Sequence, residues 1–101
     1  MTGYVGKIEQ LTEENQNFRK VLYTGKYAQL VVMSLLPGEE IGNEVHAHVD
    51  QFFRIETGTA KFVFDGGKEE YRVGAGDAVI VPAGTFHNVL NASSSEPLKL
   101  Y

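Results

Sequence analysis

Apolar and polar residues alternate over several short runs of the chain, as in β-strands that bury one face and expose the other. In one such run Ala60, Phe62 and Phe64 share a face, while Lys61 and Val63 lie between them. Turn residues separate the runs at intervals of roughly ten residues, as in small all-β folds. The pattern therefore predicts an antiparallel β-protein, either a sandwich or a small barrel.

Glycine residues mark the predicted turns between strands, at positions 24–26, 65–67 and 74–77. A polar loop at 93–97 precedes a last predicted strand, Leu98 to Tyr101, within which the chain stops. We therefore expect a C-terminal extension to be absent. The one predicted helical segment is Thr12–Asn17, where Thr12 is placed to cap a turn.

The run from Leu30 to Leu36 is almost continuously apolar and does not alternate. A strand of an antiparallel sheet usually has one face in water, so this strand is predicted to be covered on both faces. A second copy of the chain would provide such a cover, and we expect a homodimer.

Composition and charge exclude several functional classes. The net charge of −4 is spread along the chain and leaves no basic stripe for nucleic acid. The absence of cysteine excludes disulfides and thiolate chemistry. No apolar run is long enough for a signal peptide or a membrane span, so we expect a cytoplasmic protein without membrane contact. At 101 residues the chain is predicted to be one domain.

The three histidines are the strongest candidates for chemistry. His46 and His48 are two positions apart, so in a strand both rings would leave the same face. His87 lies on another predicted strand, after the turn at 82–84, and a closed β-fold would bring the three rings together. Neutral imidazole binds divalent metals well, whereas the alternative is a solvated strand face on which the pair has no role.

The spacing of five residues resembles the second conserved motif of the cupin family; these are Gly76, Pro82, Gly84, His87 and Asn91. The segment from Glu44 to Gly58 resembles the first motif, with its two histidines followed by a metal-binding side chain. The resemblance implies an all-β fold, a small antiparallel β-barrel of the double-stranded β-helix or jelly-roll type. It divides the chain into an N-terminal strand and short helical turn (1–17) and the barrel (18–101).

The fourth metal ligand is either Asp50 or Gln51; the alternative is that Gln51 makes hydrogen bonds inside the barrel and the histidines alone hold any metal. Strand alternation favours Asp50, which has the parity of His46 and His48. The family's spacing, counted back from Gly58, falls on Gln51, where cupins usually carry glutamate. The apolar residues Phe53 and Ile55 share the parity of Gln51, which also favours an inward Gln51 and a bend at Asp50.

The resemblance implies a divalent transition metal, iron, manganese, nickel, zinc or copper, held by His46, His48, Gln51 and His87. A neutral amide in this set predicts weaker metal binding than glutamate would provide, and a more strongly Lewis-acidic ion. The implied activity is oxygenase, isomerase or lyase chemistry on a small molecule in an apolar cavity. The alternative is a non-catalytic barrel that binds a small ligand or acts as a sensor, with a structural metal or none.

Overall fold

The structure is a computed structural model that describes residues 3–101. The predicted domain begins at Met1, and Met1 and Thr2 lie outside the described residues. The elements, in chain order, are α1 (Ile8–Glu14), β1 (Arg19–Thr24), β2 (Gln29–Leu35), β3 (Gln51–Thr57), β4 (Thr59–Phe64), a 3-10 turn (Asp65–Gly67), β5 (Glu69–Gly74), β6 (Ala78–Val81), β7 (His87–Asn91) and β8 (Leu98–Leu100).

The strands form two antiparallel sheets, which confirms the predicted jelly-roll class. One sheet has five strands in the order β1-β2-β8-β3-β6, and the other has three in the order β5-β4-β7. Inward residues of both sheets meet in one core, for example Leu35 and Ile55 of the first sheet and Phe62 and Val89 of the second. The strand order leaves β6 and β5 as edge strands of their sheets.

The predicted turns lie where the glycines stand. β4 and β5 pair from Thr59 opposite Gly74 to Phe64 opposite Glu69, and the turn between them contains Gly66 and Gly67 at positive φ. Only a residue without a Cβ adopts such angles at low cost. The predicted face of Ala60 and Phe62 is fully buried, because the alternation of β4 matches the inner side of its sheet.

The helix differs from its prediction, since α1 spans Ile8–Glu14 and not Thr12–Asn17. The Thr12 hydroxyl donates to the Ile8 carbonyl, at 2.6 Å, so this residue lies inside the helix and does not cap it. Ile8, Leu11, Thr12 and Asn15 follow helical spacing, and this less exposed face packs against the sheet. No strand precedes the helix in residues 3–7, where an N-terminal strand was predicted.

Helix α1 covers the outer face of the five-stranded sheet, where it contacts β2, β3 and β8. Val32 points to this outer side, because the neighbouring Met33 belongs to the core, and it is fully buried. Lys99 Nζ donates to the carbonyls of Glu13 and Asn15, at 2.8 and 2.7 Å, and so ties the end of the helix to β8. The predicted second cover of β2 therefore comes, at Val32, from the same chain.

Across residues 3–101, no helix is long and apolar enough to cross a membrane.

Candidate metal centre

His87 begins β7 and points into the space between the sheets. It is 2% exposed, it pairs with Phe64 of β4, and its main chain exchanges two hydrogen bonds with Glu44 on the other side. Its Nδ1 lies 2.9 Å from the Thr85 carbonyl, which can only accept a hydrogen bond. Nδ1 therefore carries the hydrogen, and Nε2 presents a lone pair to the interior.

Gln51 begins β3 on the same interior face as Phe53 and Ile55, both of which are in the core. Its Oε1 is buried and has no hydrogen-bond partner among the described residues. An unpartnered buried acceptor costs about 1–3 kcal/mol, so such an atom needs a physical reason. An oxygen that is held away from water and from protein donors is free to bind a cation.

Asp50 stands at the corner before β3 and is exposed. Its Oδ1 accepts a hydrogen bond from the Ala83 amide, at 2.8 Å, in the turn between β6 and β7. The carboxylate thus fastens one corner of the fold and points away from the core. The orientation that Phe53 and Ile55 suggested, with Gln51 inside and Asp50 outside, is the one the structure has.

His46 and His48 do not lie on a strand, and the prediction of a regular strand here is wrong. Residues 41–50 form no strand, and they contact β7 through one isolated bridge, between Glu44 and His87, and through hydrogen bonds that the Ile41 and Gly42 amides donate to it. His46 lies beside the interior, with its ring centroid 6.3 Å from that of His87. Its Nε2 lies 3.3 Å from Glu44 Oε2, and its side chain is 42% exposed. His48 is also exposed.

The predicted ligands are therefore gathered only in part. Gln51 and His87 present buried donor atoms, His46 stands at the edge, and His48 faces solvent. Within residues 3–101 the three histidines do not place three donor atoms within 4.8 Å of one another. Turning the His46 ring away from Glu44, with a shift of the short loop that carries His48, would be needed to complete the set.

One acidic group was not predicted from the sequence. Carboxylate oxygens of Glu9, Glu13 and Glu56 lie within 4.8 Å of one another on the outer side of the sheet. Glu9 and Glu13 are one helical turn apart and exposed, and Glu56 comes from β3. Arg54 Nε lies 3.2 Å from Glu56, close enough for an ion pair but without hydrogen-bond geometry. Solvent and Arg54 can balance this charge without a metal ion.

The Cupin domain family model matches residues 31–101, which include both histidine segments, most of β2 and all of β3 to β8. The chain belongs to the cupin family. It is 44% identical to the uncharacterized protein YrkC of Bacillus subtilis (strain 168) over 97% of this chain and 54% of that protein. It is 40% identical to a protein of Acanthamoeba polyphaga mimivirus over 97% of this chain and 62% of that one. This cupin thus spans only about half to three fifths of those relatives.

Among solved structures, BH2720 of Bacillus halodurans has the same cupin fold, with a TM-score of 0.90 and 40% identity. The match covers 96% of this chain and 76% of that one. The similarity over nearly the whole chain supports the strand order described above.

The second cupin motif has a visible structural role at Asn91. This amide is buried, and its Nδ2 donates to the carbonyls of Leu35 and Glu96, while its Oδ1 accepts from the Ser93 amide. It joins β2, β7 and the loop before β8. Asn91 therefore stabilises the fold, whereas His87 is the motif residue whose ring nitrogen Nε2 has a lone pair available for a metal.

Proposed function

We propose that this cupin binds one divalent transition-metal ion through His46, His48, Gln51 and His87 at the edge of an apolar interior. The observation that carries the proposal is Gln51 Oε1, a buried acceptor without a partner in the described chain. A buried glutamine with a purely structural role would accept a hydrogen bond at Oε1 from a nearby donor. The buried amide of Asn91 is of this kind, because both its Nδ2 and its Oδ1 have partners.

The surroundings of the proposed ligands support this role. The Thr85 carbonyl holds His87 in the tautomer that has its lone pair on Nε2. Glu44 lies beside His46, where its carboxylate adds negative charge that the neutral Gln51 does not provide. Histidine and amide donors are compatible with iron, manganese, nickel, zinc or copper. When bound, the ion supplies Lewis acidity, which a neutral fourth ligand leaves strong.

We propose a small-molecule ligand, because the interior beside His87 is apolar. The Phe53 ring lies 6.3 Å from the His87 ring and 5.2 Å from Phe62. These rings would exclude water from one side of a bound molecule and limit its size. Oxygenase, isomerase or lyase chemistry is the catalytic form of this proposal.

A non-catalytic ligand-binding or sensor barrel is the second candidate, and one observation favours it. The buried polar residues of the described chain are Thr12, Asn15, Ser34, His87, Asn88 and Asn91, of which only His87 titrates. If His87 binds a metal, no second acid or base among these residues remains in the interior for proton transfer, because the buried carboxylate of Glu56 lies on the outer side of the sheet beside α1.

Elemental analysis of protein purified without an affinity tag tests the metal proposal. We expect about one divalent ion per chain in the wild type after incubation with metal and desalting, and a loss of most of it in His87→Ala and Gln51→Ala. Asp50→Asn is the matched control, because it changes the neighbouring residue on the solvent side and should keep the metal. A wild type that takes up no divalent ion, or an equal loss in the control, would refute the site.

Cobalt substitution separates the two candidates, because the visible spectrum of cobalt(II) reports its coordination. A change of that spectrum on addition of azide would show an open position, as an enzyme needs. A spectrum that azide leaves unchanged would favour the structural metal of a binding or sensor barrel.

We also propose that the protein is a cytoplasmic homodimer, for which the first strand provides a surface. β1 is an edge strand, and its Val21 and Tyr23 are 41% and 36% exposed. Sedimentation equilibrium should give twice the chain mass for the wild type. Val21→Lys should shift the molecule to the monomer, and a monomeric wild type at high concentration would refute the dimer.

A further inference from the structure

A cavity lies at the open side of the sandwich, where the edge strands β5 and β6 come together. It has a volume of about 550 Å³, within the range of small-ligand pockets. Its lining comes from both sheets and from the turns beside them and includes two aromatic rings, two carboxylates and the apolar side chains of Val73, Val79 and Ile80. None of the four proposed metal ligands belongs to the lining of this β5–β6 cleft, although Phe64 and Thr85 of the lining adjoin His87.

Two aromatic rings form one wall of the β5–β6 cleft. The centroids of Phe64 and Tyr71 are 5.6 Å apart, and their planes are inclined by 57°. Tyr71 lies opposite Phe62 in the β4–β5 pairing, so both strands present this face toward the space between the sheets. Tyr71 is nevertheless 50% exposed, because β5 has no further strand beside it. The rings are thus open to a ligand and supported from behind by the core.

The charged side chains that line the β5–β6 cleft are all acidic. Its lining contains two carboxylates, Asp65 and Glu69, and no lysine or arginine. The Tyr71 hydroxyl donates to Glu69 Oε2 at 2.9 Å, so the acid stands directly beside the aromatic wall. This hydrogen bond, together with the negative charge of Glu69, raises the pKa of Tyr71 above its ordinary value. The tyrosine therefore remains a neutral ring at physiological pH.

We propose that the β5–β6 cleft binds a small organic ammonium ion, with the cationic head against Phe64, Tyr71 and Glu69. Aromatic faces attract cations through their negative π-surface, and a nearby carboxylate adds a direct charge interaction. The apolar side chains of Val73, Val79 and Ile80 receive the hydrocarbon part of the same molecule. An anionic ligand would meet two carboxylates without a compensating cation in the lining, so the wall selects against it.

A titration followed by amide NMR tests the proposal, with choline as the cationic probe. Dimethylbutanol, in which carbon replaces the nitrogen of choline, is the uncharged control of the same shape. The titration is made on the full chain with a chelator present, so that a metal at the histidines contributes nothing. We expect choline to shift the amides of β5 and β6 and to bind at least about threefold more tightly than dimethylbutanol.

Neighbouring glutamates on opposite faces of β5 provide a matched pair of variants. Glu69→Gln removes the charge beside Tyr71 and should weaken choline binding about threefold or more. Glu70→Gln is the control, because Glu70 faces the other side, where it pairs with Lys61 at 3.2 Å. It should leave choline binding unchanged. Tyr71→Ser should also weaken binding, and it tests the ring at a half-exposed position that tolerates substitution.

Three results would overturn the proposal. These are equal affinities for choline and dimethylbutanol, an equal effect of Glu69→Gln and Glu70→Gln, or choline-dependent shifts confined to the amides around His46 and His87. The last result would assign the cation to the proposed metal centre. Because the titration is made without metal, failure of the metal proposal would leave its outcome unchanged.

Discussion

Replacing Gln51 with methionine should stabilise the metal-free protein. Methionine has a similar length and flexibility, and it removes Oε1, a buried acceptor without a partner in the described chain. Such an unpartnered group costs about 1–3 kcal/mol, and because Gln51 is only half-buried we expect a gain of about 1–2 kcal/mol. For a domain of this size the gain corresponds to a rise in melting temperature of about 4–16 °C.

The same substitution should reverse the order of stability when metal is present. A ligand at a hundred times its dissociation constant stabilises the native state by about 2.7 kcal/mol. The wild type gains this free energy from zinc or manganese, and Gln51→Met gains less because it has lost a ligand. Urea unfolding of both proteins, with chelator and then with metal, measures the two differences. A variant that is less stable without metal, or that gains as much from metal as the wild type, would refute the role given to Oε1.

Asn91→Leu is the control for this comparison, because it replaces another buried amide that is fully partnered. Asn91 loses two hydrogen bonds that its Nδ2 donates and one that its Oδ1 accepts. At about 0.5–1.5 kcal/mol for each of the three bonds, we expect a destabilisation of about 1.5–4.5 kcal/mol. Both substitutions replace an amide with an apolar side chain. Opposite signs of the change in the free energy of unfolding would therefore isolate the effect of the hydrogen-bond partners.

Three further predictions concern the fold and the β5–β6 cleft. Gly58→Ala should lower the free energy of unfolding in urea by about 2 kcal/mol or more, because Gly58 has φ +91° and a Cβ would overlap a main-chain carbonyl before β8. Gly76→Ala is the control, since Gly76 has a similar φ of +88° but lies in open space, and it should cost only about 1 kcal/mol. Lys99→Met should lose the two bonds to the end of α1, destabilise by about 1–3 kcal/mol and speed hydrogen exchange in the helix. Glu69→Gln should lower the pKa of Tyr71 toward its ordinary value in a spectrophotometric titration, and an unchanged pKa would contradict Glu69 as the cause of the shift.

Most strands could be predicted because their signals are local. Alternation in β4 fixes which residues face inward, and the glycines at 66 and 67 adopt positive φ in the turn that follows. Neither property depends on the rest of the fold. The position of the helix was predicted wrongly because its signal is not local. The apolar face of α1 contains only Ile8 and Leu11, and its burial depends on the sheet beneath it.

The histidine segment shows where strand reasoning fails. A pair of histidines two residues apart shares a face only if the backbone is extended and paired, and residues 41–50 form no strand and make one isolated bridge to β7. This segment contains Gly42 at positive φ, which interrupts a strand. Whether the residues around it still form a strand depends on the segment that pairs with them. The spacing of His46 and His48 identifies a family pattern and does not by itself determine where the rings point.

The inward position of Gln51 and its lack of a partner have different origins. The first follows from the alternation with Phe53 and Ile55, which any register of β3 with an apolar inner face must preserve. The second depends on Val81, which β6 places opposite Gln51 and which offers no side-chain donor. Strand order also leaves β5 and β6 as the edge strands that border one cleft, and the packing of α1 on the sheet places Glu56 beside the helix. A strand pattern can therefore predict which side chains face the interior, but the partners that make such a side chain costly or reactive are decided by strand order.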